Sequence, residues 1–193
     1  MYAVGIFGQF QANPKESHLQ AVKIIFKYLQ ETQELVLWYP NNVDLTLHSY
    51  TDADWARNVD DRKITSGGAF YMGPRLVSWF SKKQSSIDFS TVEAKYVAAT
   101  SSCTQLLWMM QTLQDIQIKC SPPISILCDN TSAISISKNP IMHSNTKHIP
   151  IKYHFLREQV LEIFFKLEYV PSKEQFVDIF NNPLPMESFE YLR

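Results

Sequence analysis

The segment HSYTDADWA, residues 48–56, constrains the fold more than any other stretch of the chain. It alternates like a strand, yet carries Asp52 and Asp54 where a buried strand would place apolar side chains. Acids at i and i+2 point to one face of an extended chain. Carboxylates placed there need water, a turn or a cation to face, because a buried charge without a partner is strongly disfavoured. The segment therefore predicts a strand that ends at an open rim.

The 193-residue length fits one domain, or one domain with an attached piece. Hydrophobic content of 45% supports a packed core and excludes a disordered chain. The net charge of −1 points to neither a nucleic acid nor a membrane, although a local patch can still bind phosphates. Cys103, Cys120 and Cys128 are odd in number and lack CxxC spacing, which indicates neither a disulfide framework nor a zinc site and favours a reducing compartment. No apolar run approaches the roughly 18 residues of a membrane span, and the N-terminal segment lacks signal-peptide layout. The expectation is an intracellular protein of the cytoplasm and/or nucleus, not secreted and without a membrane partner. None of the five glycines lies beyond Gly73, so about 120 residues are expected to turn on Pro, Asn, Ser and Asp.

Residues 15–31 place Leu19, Val22, Ile25, Phe26 and Leu29 at helical spacing. LVLWYP reads as a short strand closed by Pro40, and a boundary falls near residue 43. LTLHSYTDAD, Gly68 to Met72 and Leu76 to Lys82 read as three sequential antiparallel strands. A long helix follows from about Thr91 to Gln114. ISILC is continuous and apolar, as a strand in the middle of a sheet would be. NTSAISISK is a short helix, TKHIPIKYHFLREQVLE a helix, FFKLEYV a strand and SKEQFVDIF a final helix. The fold class is α/β, a mixed sheet flanked by helices, with ligand sites gathered at strand ends.

Three more acids stand where such ends fall. Glu93 is in the first turn of the long helix, Asp129 directly follows ISILC, and Asp178 lies in the last helix. Each also has a local structural reading. Ser90 and Glu93 fit a capping box, Asp129 fits an N-cap, Asp178 fits a solvated helix face, and Asp52 with Asp54 fits the start of a turn. Converging on one edge, the acids would need a cation. Oxygen-only ligands select Mg²⁺ or Mn²⁺, and two such ions about 4 Å apart can clamp a phosphodiester.

The blocks YTDADWA, DDRKITSGGAFYMG, LVSWFSKKQSS, STVEAKYVAATSSCTQLLWM, LCDNTSAISISKNPIMHSNTKHI, HFLREQV and QFVDIFNNPLP resemble, in order, the ribonuclease H domain of plant copia-type retrotransposon Pol polyproteins. The N-terminal AVGIFGQFQANPKESHLQAVKIIFKYLQET resembles the end of the preceding reverse transcriptase. The resemblance implies an RNase H-like fold with a five-stranded mixed sheet, three strands antiparallel and then two more. It divides the chain into a reverse transcriptase remnant at 1–43, an RNase H domain at 44–186 and a tail at 187–193. It implies hydrolysis of the RNA strand of RNA–DNA hybrids, with the reverse transcriptase domain of the parent polyprotein as a partner. The family's four metal-binding acids fall on Asp52, Glu93, Asp129 and Asp178, which would hold two Mg²⁺, with Mn²⁺ able to substitute. Thr65, Ser66, Lys82, Lys83, Gln84, Asn130, Ser132 and His148 are candidate nucleic-acid contacts; for Lys82 and Lys83 the alternative is a solvated strand end. Asp54 takes a supporting or turn role. Core packing is expected of Trp55, Trp79 and Trp108.

The chain departs from the family pattern at three places. Lys95 stands where the family has glutamate, and its position on another helix face than Glu93 suggests a small effect. Asn182 replaces a lysine. Ile163 and Phe164 replace the Gly-Asp of the turn before the last strand, where positive φ would cost a β-branched residue roughly 1–2 kcal/mol; Ile163, Phe164 and Phe165 would also be exposed there. Polymerase activity is not expected, because the paired aspartates of that domain are absent from the sequence. The alternative to an active nuclease is a truncated, inactive remnant that folds and at most binds nucleic acid.

Overall fold

A computed structural model describes residues 2–41, 44–54, 64–84, 90–138, 155–182 and 184–193. Two compact units divide the chain, residues 1–38 and 39–193. The first holds α1 (Tyr2–Gly8) and α2 (Glu16–Glu31). The predicted helix is present, yet α2 buries none of its residues, and Ile24, Phe26 and Leu29 stay exposed.

The second unit is built on β1 (Leu47–Asp54), β2 (Thr65–Met72), β3 (Arg75–Lys83), β4 (Ile124–Cys128) and β5 (Phe165–Tyr169). They form one sheet in the order β3-β2-β1-β4-β5. β1, β2 and β3 pair antiparallel, whereas β4 runs parallel to both β1 and β5. This is the five-stranded mixed sheet expected of an RNase H-like fold. The helices are α3 (Thr91–Asp115), α4 (Thr131–Lys138), α5 (Phe155–Leu161), α6 (Asp178–Asn181) and α7 (Met186–Leu192).

Period-two alternation sends Leu47, Ser49, Thr51 and Ala53 of β1 inward against α3, and His48, Tyr50 and Asp52 to the opposite face. The main core packs Phe70, Tyr96, Leu106, Ile126, Leu156 and Leu167 together. Each such side chain contributes about 1.5–3 kcal/mol by leaving water. On the other face a smaller cluster of Ala69, Leu76 and Val177 is covered by Tyr50, Tyr71 and Phe180.

Several expectations need correction. Residues 35–40 form no strand; Val36 and Trp38 are exposed, and it is Tyr39 and Pro40 that have side-chain ties to the sheet. Tyr39 Oη donates to Leu76 O at 2.7 Å, and Arg75 Nε donates to Pro40 O at 2.9 Å. The predicted last helix breaks into a 3₁₀ turn, Ser172–Glu174, and the four-residue α6. Between them Gln175 is fully buried with extended backbone, and its Nε2 donates to Thr51 O of β1 at 3.1 Å. Trp108 is 64% exposed rather than in the core, and Trp79 stacks on Phe180 while half exposed. Phe165 is buried, whereas Ile163 and Phe164 are exposed as expected. Trp55 and His148 lie outside the described residues.

The glycine-poor half ends two helices in an unforeseen way. At α3, Gln117 N donates to Gln114 O and Ile118 N to Leu113 O, with Gln117 at φ 64°. At α5, Ile163 N donates to Val160 O and Phe164 N to Gln159 O, with Ile163 at φ 62°. Both are Schellman closures, whose left-handed position normally belongs to glycine. The turn chemistry is kept and the residue that suits it is not.

Candidate active site at the acidic rim

The C-terminal ends of β1 and β4 lie side by side because the strands are parallel, with Thr51 opposite Cys128. The next residue on each strand is an acid, Asp52 and Asp129. Asp52 is buried. Asp129 would be free to cap α4, but Asn130 takes that role: its Oδ1 accepts from Ala133 N at 2.9 Å. Asp129 is thereby released to face Asp52.

Between the two carboxylates stands the ammonium of Lys95. Its Nζ lies 2.8 Å from Asp52 Oδ1 and makes a still closer contact with Asp129 Oδ1. Lys95 is thus ion-paired with Asp52, and its Asp129 contact is a charge-assisted hydrogen bond. The other Asp129 oxygen accepts from Ser172 Oγ at 2.9 Å. Burial alone would lower the Lys95 pKa; Asp52 and Asp129 outweigh it and push it up to about 12. The small effect expected of Lys95 is thus corrected. Helical spacing separates its Cβ from that of Glu93, but a four-carbon stem reaches where the Cβ direction does not.

Asp178 opens α6 beside this pair. Burial first, and then the Asp52 and Asp129 carboxylates, push its pKa up to about 6. Asn182 Nδ2 donates to its Oδ1 at 3.1 Å, so the asparagine that stands in place of a cation still meets the carboxylate. Glu93 is buried in the first turn of α3, where its backbone N donates to Ser90 Oγ at 3.2 Å, the serine half of the capping box expected there. Asp54 ends β1 opposite Thr65.

The rim leaves room for α6 because β2 is bare where it passes Asp52. Gly67 is the cross-strand partner of Asp52, and a Cβ there would meet Val177 Cγ2 at 3.0 Å and Asn181 Cγ at 3.1 Å. Across the sheet, a Cβ on Gly68 would meet Phe80 Cε1 at 2.4 Å.

Candidate nucleic-acid contacts fall into two groups. Ser66 and Gln84 are buried, with Gln84 Nε2 donating to Ser66 Oγ at 2.7 Å and to Ala94 O at 3.0 Å. That bracket ties the end of β3 to α3. Lys82 and Lys83 are exposed at that end and, with Ser101, Thr104 and Gln105 of α3, line a cleft of about 490 Å³. The α3 residues of this cleft were not singled out from the sequence, where they read as the polar face of a helix. Thr65 is half-buried at the start of β2, and Ser132 is exposed in the first turn of α4.

The resemblance implies Mg²⁺ or Mn²⁺ at this rim, and the donor set can be tested for it. Hard cations need several free carboxylate oxygens converging on one point. Here the facing oxygens of Asp52 and Asp129 are already held by Lys95. Among the described residues, no three acidic, imidazole or thiol side chains are grouped to hold a metal ion. A divalent ion does not fit between these acids while Lys95 stands there.

The fold and its acidic rim define an RNase H-like α/β domain. No family model matches the chain. Over 98% of its length it is 37% identical to the retrovirus-related Pol polyprotein from transposon RE1 of Arabidopsis thaliana and 36% identical to that from transposon TNT 1-94 of Nicotiana tabacum. A secreted RxLR effector protein 161 of Plasmopara viticola is 38% identical over 55% of the chain and 75% of its own length. The crystal structure of LC11-RNase H1 in complex with RNA/DNA hybrid superposes with a TM-score of 0.49 at 12% identity, covering 67% of this chain and 88% of that one. Over nearly its whole length the chain is similar to a segment of retrovirus-related Pol polyproteins of plant transposons. It spans 13–14% of the length of those Pol relatives.

Proposed function

We propose that this chain is the ribonuclease H-type segment of a retrotransposon Pol polyprotein, that it engages RNA–DNA hybrids, and that the RNA strand is hydrolysed at its acidic rim. The observation that carries this reading is the convergence of Asp52, Asp129 and Asp178, from three separate parts of the chain, at one end of the sheet. The similarity to retrotransposon Pol polyproteins supports the hybrid as substrate. Lys82 and Lys83 would meet the phosphate backbone, and 2′-hydroxyl contacts would select RNA. Residues 1–43 are assigned to the end of the preceding reverse transcriptase, 44–186 to the nuclease domain and 187–193 to a tail.

A second reading, in which the hybrid is bound and not cut, is favoured by Lys95 standing among the acids. A labelled RNA–DNA hybrid separates the two. Release of shortened RNA by the wild-type chain, lost in Asp129→Asn at unchanged fold, supports hydrolysis. Binding measured by anisotropy without cleavage selects the second reading. Neither binding nor cleavage would sink both.

A further inference from the structure

We propose that Lys95 is a tethered counter-ion that occupies the cation position between Asp52 and Asp129, so that the wild-type rim excludes a divalent ion and removal of this one ammonium opens a site for it. The inference rests on the reading of Asp52, Asp129 and Asp178 as one carboxylate cluster, and it concerns ion occupancy, not turnover.

Three observations carry it. The ammonium sits 2.8 Å from Asp52 Oδ1 and still closer to Asp129 Oδ1, so one positive charge already bridges the two facing acids. All three side chains are shielded, with 15% exposure for Lys95, 8% for Asp52 and 10% for Asp129, so the contact is not a surface pair that water readily replaces. The second Asp129 oxygen accepts from Ser172 Oγ at 2.9 Å, so both oxygens of that carboxylate already have a partner. An incoming ion must therefore displace a desolvated ammonium and accept ligands already committed elsewhere. Its occupancy falls by the free energy of that displacement.

The arrangement also accounts for how a lysine is tolerated here. Clustered carboxylates raise one another's energy. A cation carried by the chain meets that cost at every ion concentration, whereas a soluble ion does so only when bound.

The test is Mn²⁺ binding followed by electron paramagnetic resonance of free Mn²⁺, with the melting midpoint as a second readout. The chains are wild type, Lys95→Gln, Lys95→Glu and Lys95→Arg. The expectation is binding about tenfold or more tighter in Lys95→Gln and Lys95→Glu than in wild type, with a Mn²⁺-dependent rise in their midpoints. Lys95→Arg should remain like wild type, and Asp52→Asn added to Lys95→Gln should abolish the gain. If one variant fails to fold, the other carries the comparison, and circular dichroism decides which is used.

Equal Mn²⁺ affinity in wild type and the charge-removing variants would overturn the proposal. So would the absence of binding in all of them, because the acids would then be no cation seat at all. Hybrid cleavage is read separately. Variants that gain Mn²⁺ and still never cut a hybrid would defeat the proposed nuclease function while leaving the tethered counter-ion in place.

Discussion

The parallel strands β4 and β5 have two ends, and the chain departs from its family's pattern at both. At the C-terminal end lies the acidic rim with Lys95; at the N-terminal end, Ile163 closes α5 just before β5 in the left-handed region. The first departure is answered by its surroundings, since the added charge finds two opposite charges within reach. The second is not, because φ belongs to one residue and no neighbour can share it. A misplaced charge can be partnered from anywhere the fold brings close, whereas backbone strain stays where it is made.

The largest expected effect breaks the first half of that contrast. Lys95→Met keeps the stem and removes the charge, leaving two shielded carboxylates without a cation, and should cost about 3 kcal/mol in metal-free buffer at pH 7. Urea unfolding measures it; a change near zero would mean the ion pair balances no real repulsion. A smaller effect sharpens the same half. The Asp178 pKa is raised from 3.8 to about 6, so between those values the folded chain binds more protons than the unfolded one. Its contribution is therefore most favourable below pH 4 and is lost as pH rises through 6, a change of about 2 kcal/mol once solvent screening of the half-buried carboxyl is allowed for. Asp178→Asn should flatten that dependence, so comparison of unfolding midpoints at pH 5 and pH 8 should show wild type losing ground to the variant.

The other half of the contrast predicts gains. Ile163→Gly relieves a β-branched residue at positive φ and should stabilise by about 1 kcal/mol. Gln117→Gly performs the same exchange at the end of α3 without β-branching and should give about half as much. If both gave nothing, the two closures would not be strained. Equal gains would remove any separate cost of branching at Cβ.

What the sequence made legible follows from range. β1, α3 and β4 were readable because their periodicities reflect burial decided over a few residues. The gathering of Asp52, Asp129 and Asp178 followed from strand ends, and the resemblance strengthened it. The cost at Ile163 was readable from a glycine position filled by isoleucine. The rest depended on distances the sequence does not carry. Lys95 was judged by the face of its Cβ, although its charge sits at the end of a long stem. The last helix was broken by Gln175 reaching a strand more than a hundred residues earlier. LVLWYP has strand composition, yet it forms no ladder, and its last two residues make side-chain hydrogen bonds with Leu76 and Arg75 instead. α7 buries only Leu192, too little to leave a periodic signal.

Gly67 gives the rim a dependence that no charged residue reveals. It faces Asp52 across the ladder and contributes an absence, the missing carbon that lets Val177 and Asn181 settle against β2. The spacing between strand and helix is gauged at that point, and the spacing decides how near Asp178 comes to the other acids. An uncharged position thus bears on the rim, because one added methyl group would press on the residue beside Asp178 and displace it by about a few tenths of an ångström.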